Sequence, residues 1–415
     1  MSSSQRGQLE QRLLVLVTLA LAAFGLVMIY SATSAAAALG NGDPVTFLKR
    51  QGAYALLGVA LLVVGSRVDH RQLRHLAPAL VLTALALCVA VLAIAPEING
   101  AKRWLTAGPL TFQPSELAKL ALLVWTAAYL AGKGAPQTLG ELWKPIGMLT
   151  GLFAALIVVE PDLGTTIALV LMVAGMLVVA GVPGRTLAGA GVLALAAGLA
   201  AIWMEPYRRA RVFSFLDPWA DPQDTGFQTV QALLGLGSGG LTGKGLGEGV
   251  QKINYLPEQQ TDMILAVIGE ELGLLGTTAV IAAFGAFAFA GFTIALRCRD
   301  PFGKLLAAGI TSLVCGQAAV NLAAVLGIAP LTGIPLPFVS YGGSSLVVLL
   351  ASVGILLNIA GDERAPQRVS RRGAASPDRR RRNSRPRPAV ARSGGGATGA
   401  RRQRDVRRVA GSRRG

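Results

Sequence analysis

Histidine and cysteine are almost missing from this chain of 415 residues, which has two of the first and three of the second. His70 and His75 share one short basic stretch, which argues against a histidine metal cluster. Cys88, Cys298 and Cys315 are scattered in or beside apolar segments, with neither a disulfide framework nor metal-ligand spacing. Charge is scarce as well. Only 15% of the residues are Asp, Glu, Lys or Arg, against 52% hydrophobic, which is not the polarity of a soluble chain of two or three domains. A nucleotide loop is also lacking. In the glycine-rich stretch from Gly235 to Gly249, Gly243-Lys244 is followed by Gly245 rather than Ser or Thr, and Ser238 stands where a phosphate loop has its first glycine. That stretch reads instead as a loop allowing close backbone approach to a ligand.

What is present is apolar sequence of spanning length. A bilayer crossing needs ~20 such residues, and runs of that kind recur from Leu13 to Ile359. The fold class is an all-α polytopic membrane protein of about ten transmembrane helices. The expected spans are Leu13 to Tyr30; Tyr54 to Gly65, reaching back through Phe47; Ala77 to Ala95; Leu117 to Ala131; one ending at Glu160-Pro161-Asp162; Thr165 to Ala180; one ending near Met204; Asp262 to just before Arg297; Leu305 to Leu326; and Ser345 to Ile359. No cleavable signal peptide is evident in the first run. The domain reading is an N-terminal segment 1–12, a transmembrane domain 13–360 with a large loop 206–261 between spans seven and eight, and a tail 361–415. Within the large loop, Phe227 to Leu236 reads as an interfacial amphipathic helix.

The net charge of +17 is mostly local. From Gly361 onward there are 18 Arg against four acids, which leaves +3 for the rest. The tail is rich in Arg, Pro, Gly and Ser and reads as disordered, a topology anchor or a docking segment for cytoplasmic partners. No aromatic residue is interleaved with its arginines, so nucleic acid is not an expected partner. An even span count puts both termini on one side. The basic loops after spans two, four, six and eight fall on that same side, which makes it cytoplasmic. Against this pattern, Lys102, Arg103, Arg208, Arg209, Arg211, Lys244 and Lys252 fall on the outer side. As a set they point to anion binding at the outer surface.

The stretch Tyr255 to Gly273, YLPEQQTDMILAVIGEELG, sits on that outer side too. Asp262 stands at the mouth of its apolar run, and Glu270 and Glu271 lie inside it. Ionisable groups so placed are functional candidates. From position alone, Thr261-Asp262 serves equally as a helix start and as a reactive carboxylate. Glu160 and Asp162 flank Pro161 as a helix end and turn. Glu258 is either an orienting group or a loop carboxylate. Glu270 and Glu271 are candidates to pair with a buried base such as Lys119. Ser340 belongs to a polar turn opening the last span, or lines a cavity.

Five stretches carry a resemblance. They are NGAKRWLTAGPLTFQPSELAK (Asn99 to Lys119), EPDLGTT (Glu160 to Thr166), PYRRARVFSFLDPWADP (Pro206 to Pro222), Gly226 through Gly273, and GIPLPFVSYGGSSL (Gly333 to Leu346). In this order they resemble the SEDS family of bacterial cell-wall polymerases, typified by RodA, FtsW and SpoVE, and most like the FtsW branch. Gln259-Gln260, Met263-Ile264 and the arginine tail depart from the family pattern. The resemblance implies a peptidoglycan glycosyltransferase that polymerises lipid II, a disaccharide-pentapeptide on undecaprenyl pyrophosphate, at the outer face of the cytoplasmic membrane. It implies a class B penicillin-binding protein (an FtsI-like transpeptidase) and other divisome proteins as partners, at the division septum. Asp262 falls at the family's essential aspartate and would be catalytic. Lys102, Arg103, Lys119, Arg208, Arg209, Arg211, Glu258 and Ser340 would contact substrate. Glu116, Glu160, Asp162, Glu270 and Glu271 would support them. A divalent cation, Mg or Mn, is left open, and no other cofactor is implied. The alternatives are a lipid II flippase or other transporter, a non-catalytic scaffold, and an elongation-type, RodA-like polymerase. The absence of an internal repeat and the clustering of charges at one end argue against the transporter.

Overall fold

The structure, a computed structural model, describes residues 3–38, 44–97, 100–107, 110–251 and 259–362. Glu258, Lys252 and the arginine tail beyond Asp362 lie outside these residues. The described chain is helical, with one short hairpin. Helices α1 (Ser3–Ala38), α2 (Pro44–Arg67) and α3 (Arg71–Ile94) lead to strands β1 (Leu105–Ala107) and β2 (Leu110–Phe112). There follow α4 (Pro114–Lys133), α5 (Leu139–Leu142), a π-helical turn at Trp143–Gly147, α6 (Met148–Val159), α7 (Leu163–Ala180) and α8 (Gly184–Met204). Two shorter helices, α9 (Pro206–Leu216) and α10 (Phe227–Ser238), precede α11 (Ile264–Arg297), α12 (Pro301–Val325) and α13 (Gly343–Asp362).

The helix starts follow from local chemistry. Pro114 opens α4 with Glu116 in its first turn. Asp162 caps α7 by accepting from the Thr165 N–H at 2.9 Å, and Asp300 caps α12 on Gly303 at 3.1 Å. Nine of the described helices are long and apolar enough to cross a membrane, so the chain is a multi-pass membrane protein. The expected fourth span coincides with α4, which is 20 residues long but carries Glu116, Lys119 and Lys133 and is not among the nine. α1 runs well past the expected first span, because the polar residues flanking that run do not break a helix, while α2 matches the expected second span closely.

Close backbone approach sets the packing. α13 lies along α2, where a Cβ on Gly354 would sit 2.4 Å from the Leu62 carbonyl oxygen. Small residues at such crossings are how helices gain contact in lipid, where no hydrophobic force draws them together. α12 runs through the interior, buried over most of its length, while α8 is peripheral and exposes Val192, Leu195 and Trp203.

α11 is two helices in one. Gly273 has φ 65° and ψ −159° inside it, a conformation open only to glycine. The glycine-rich stretch is stitched into that break. Backbone N–H groups of Lys244 and Gly245 donate to the carbonyls of Glu270 and Glu271, both at 3.0 Å, and Leu274 N–H returns a bond to Gly240 at 2.9 Å. A Cβ on Gly243 would lie 2.1 Å from the Glu271 carbonyl oxygen. These glycines therefore permit close approach to α11, not to a ligand as the sequence suggested. α10 likewise buries Thr229, Val230, Ala232 and Gly235 in packing that includes α11, rather than serving only as an interfacial helix.

Gly243 at φ +82° meets strain and clash together, so Gly243→Ala should cost ~2 kcal/mol or more. Gly140 on α5 has nothing within 4 Å of its Cβ position. Gly140→Ala should be neutral or stabilising by ~0.5–1 kcal/mol. Thermal unfolding of the two variants in detergent checks the contrast.

Candidate active site around Asp262

Asp262 lies half-buried in the turn leading into α11. The cap position is Met263, with no side-chain cap bond, so Asp262 stands one residue outside the helix. Its backbone carbonyl accepts from Asn321 Nδ2 at 2.7 Å, and the same amide donates to the Ile334 carbonyl at 2.8 Å. Thr261 Oγ1 donates to Asp262 Oδ1 at 3.3 Å, and the Tyr341 N–H donates to the Gln260 carbonyl at 2.8 Å. The segment before α11 is thus tied to the loop 327–342.

Arg211, on α9, completes the arrangement. Its Nη1 donates to the Leu331 carbonyl at 3.2 Å, and its guanidinium lies 4.7 Å from the Tyr207 ring centroid. A Cβ placed on Gly333 would be 4.0 Å from both Arg211 Nη1 and Asp262 Oδ2. Carboxylate and guanidinium therefore face one point beside the Gly333 backbone. A carboxylate so placed can accept a proton, and a guanidinium beside it can hold an anion. On the other flank, Arg50 of α2 hydrogen-bonds Tyr341, whose phenol is held above its ordinary pKa by burial against the opposing pull of Arg50.

The remaining candidates are held in other ways. Arg103 donates from Nε to the Glu160 carbonyl at 2.9 Å and from Nη2 to the Pro161 carbonyl. Arg208 donates to the carbonyls of Ala201 at 2.9 Å and Val158 at 2.7 Å, tying the ends of α8 and α6 together. Arg209 lies over the Trp203 ring, 5.9 Å from its centroid. Lys102 is exposed. Lys119 is fully buried and donates to Glu116 Oε1 at 2.9 Å, a contact within α4. Ser340 is also buried, and its Oγ accepts from the Leu336 N–H at 2.8 Å; it shapes the turn rather than lining a cavity.

The two acids inside α11 do not pair with Lys119. Glu270 accepts from Lys244 Nζ at 2.7 Å and from the N–H groups of Val250 and Gln251 at 2.9 and 3.0 Å. Glu271 accepts from Ser31 Oγ at 2.8 and 2.7 Å. Their partners are thus the glycine-rich stretch and α1. Asp162 accepts from Thr165 Oγ1 at 2.8 Å and Gln113 Nε2 at 3.1 Å.

Glu160, between α6 and α7, is fully buried, with no hydrogen-bond partner for either carboxyl oxygen. Burial, reinforced by nearby Asp162 and opposed by Arg103, pushes its pKa up to about 8. Among the described residues no group of three His, Cys, Asp or Glu side chains is placed to hold a metal ion.

With this geometry in hand, comparison with known proteins is decisive. The family described as cell cycle protein, comprising FtsW, RodA and SpoVE, matches residues 11–365. The chain belongs to the FtsW/RodA/SpoVE family. It is similar to the protein named probable peptidoglycan glycosyltransferase FtsW of Geobacter sulfurreducens, 43% identical over 350 residues, covering 84% of this chain and 94% of that one. It is similar also to stage V sporulation protein E of Bacillus subtilis, 38% identical over 353 residues, covering 84% and 96%. A solved structure described as showing coordination of polymerization and crosslinking by a peptidoglycan synthase complex matches at a TM-score of 0.71 and 34% identity, covering 85% of this chain and 98% of that one. An aspartate-to-alanine variant of Thermus thermophilus rod shape determining protein RodA matches at 0.63 and 31%, covering 85% and 98%.

In this FtsW/RodA/SpoVE chain, sequence reasoning missed Asn321 and Arg50, whereas Tyr341 belongs to the polar turn it had singled out before the last span. One signal was available: Asn321 is a lone amide in the apolar run AAVNLAAVLG, and a polar group there is costly unless it has work to do. Arg50 had no such signal, since its meeting with Tyr341 brings α2 to a loop far along the sequence.

The raised pKa of Glu160 has a pH signature. Its ordinary value is 4.5 and its folded value about 8, so the folded state holds a proton that the unfolded state has released between these limits. Stability from this group is therefore full below about pH 4.5 and lost as pH rises through about 8. Melting temperatures across that window should fall more steeply for the natural chain than for Glu160→Gln, which cannot titrate.

Proposed function

We infer that this chain is a peptidoglycan glycosyltransferase that polymerises lipid II into glycan strands, acting in septal wall synthesis. The observation that carries the reading is the convergence of Asp262 and Arg211 on Gly333, within a family whose relatives bear that activity in their names. The active face is the outer face of the inner membrane, with both termini in the cytoplasm. That orientation is supported by the basic loops after spans two, four, six and eight.

In the reaction, the acceptor sugar's 4-hydroxyl attacks the donor's anomeric carbon. A new C–O bond forms there as the bond to undecaprenyl pyrophosphate breaks. Asp262 takes the hydroxyl proton. Arg211 neutralises charge on the departing pyrophosphate, and Arg50, Lys102 and Arg103 lie on the same end of the bundle to receive the rest of an anionic substrate. Glu258 completes the proposed substrate contacts. A Mg or Mn ion would be held by Asp262 together with the substrate's own pyrophosphate oxygens, the usual arrangement for a cation that keeps few protein ligands. It would supply further charge neutralisation. The partner is a class B penicillin-binding protein, in keeping with the similarity to a peptidoglycan synthase complex in which polymerization and crosslinking are coordinated. Other divisome proteins are proposed to dock on the arginine tail.

Incubation of the chain and its penicillin-binding partner with labelled lipid II tests this directly. Glycan strands should form with the natural chain and vanish with Asp262→Ala. Arg211→Ala should lower kcat/KM by ~10-fold or more, since a lost charge-assisted contact is worth ~1.5–3 kcal/mol. Strands of unchanged yield from Asp262→Ala would remove that residue from the chemistry. Flipping of lipid II across liposomes without strands would make the chain a transporter.

A further inference from the structure

We propose that Asn321 is a positioning residue for Asp262, a single buried amide that holds the two walls of the site in register; this rests on the reading of Asp262 as the base. Asn321 lies one turn before the end of α12 and is 2% exposed. Both of its partners are carbonyl oxygens, Asp262 at 2.7 Å and Ile334 at 2.8 Å, so the group facing them is the NH2, and its two hydrogens are both used. The two carbonyls belong to separate segments. One carries the candidate base. The other follows Gly333 directly, and Gly333 marks the point that Asp262 and Arg211 both face. Arg211 is itself bonded to Leu331 of the same loop.

Asp262 lies outside α11, and the clamp acts on its backbone carbonyl. The anchor is rigid: α12 packs against α4, α7 and α11 and is buried along most of its length. A side chain locked in a packed helix and reaching into two loops is how a scaffold holds reacting groups to fine tolerance. Without the amide, the carbonyl of Asp262 and the buried carbonyl of Ile334 lose this donor, and the tie between the Asp262 turn and the Gly333–Ile334 wall is removed. Displacement of a base by about 1 Å costs ~10²-fold in rate. Substrate affinity should change less than kcat, since Arg211, which would meet the pyrophosphate, keeps its own bond to Leu331.

The test is lipid II polymerisation by the full chain with its penicillin-binding partner, comparing Asn321→Leu, Asn321→Ser, Gln317→Leu and Asp262→Ala. Gln317 is one turn earlier on the same helix and equally buried, but donates nothing to the site. The expected result is a fall in kcat of ~10- to 100-fold in both Asn321 variants, with KM for lipid II within about twofold, and near-natural kcat in Gln317→Leu. Activity of either Asn321 variant within twofold of the natural chain would overturn the clamp. So would a loss of kcat that only tracks a fall in melting temperature and is matched by Gln317→Leu at an equal fall. If Asp262→Ala is inactive while the Asn321 variants are normal, only the clamp fails; if Asp262→Ala is active, the reading of the site fails and takes the clamp with it.

Discussion

Two adjacent carboxylates inside an apolar helix are the constraint on which this structure turns. Glu270 and Glu271 are both essentially unexposed, and an unpaired buried charge is too costly to persist. The chain meets the constraint by bringing the glycine-rich stretch to Glu270 and α1 to Glu271. The break at Gly273 is where that stretch enters. The first segment of α11, and so the turn bearing Asp262, is held by the same contacts that satisfy the two acids.

The buried Glu116–Lys119 pair does a similar job for α4, and the Asp162 cap links α7 to Gln113. The Glu116–Lys119 pair lies within α4 and satisfies a buried charge there, while the Asp162 contact with Gln113 is a polar tie between segments that lipid would not otherwise press together. Burial of such groups is weak evidence for net stability. The effect of the inter-segment tie is on specificity, since it fixes one arrangement of the segments it joins. The site inherits that order. Asp262 and Arg211 come from segments about fifty residues apart, and the loop that aligns them comes from a third, after α12.

Much of the helical layout was legible beforehand. Long apolar runs with flanking charge dictate helices because every backbone polar group must be satisfied within the segment. The α6–α7 turn at Glu160-Pro161-Asp162 and the start of α13 beside Ser345 were readable in this way. Asp262 was visible for the same reason, as an acid where an apolar run begins. Lys119 was read as a ligand contact from the family resemblance alone; its contact with Glu116 one turn earlier was not read, because it depends on burial of both side chains. The glycine stretch was read as a ligand loop because glycine permits any close approach and does not say to what.

The sequence by itself therefore determined which long apolar segments are helical, where the acids and cations fall along them, and the family to which the chain belongs. Only the tertiary structure decided which partner each acid and each cation meets. Lys244 goes to Glu270, Ser31 to Glu271, Arg208 and Arg103 to backbone carbonyls, and Arg211 to the point beside Gly333. The physical reason is that periodicity and hydropathy are properties of single segments. A hydrogen bond or ion pair is a property of two, and its partner is chosen by how helices far apart in the chain pack. Asn321 is the sharpest instance: one amide in an apolar run, whose meaning lies wholly in the two carbonyls that packing brings to it.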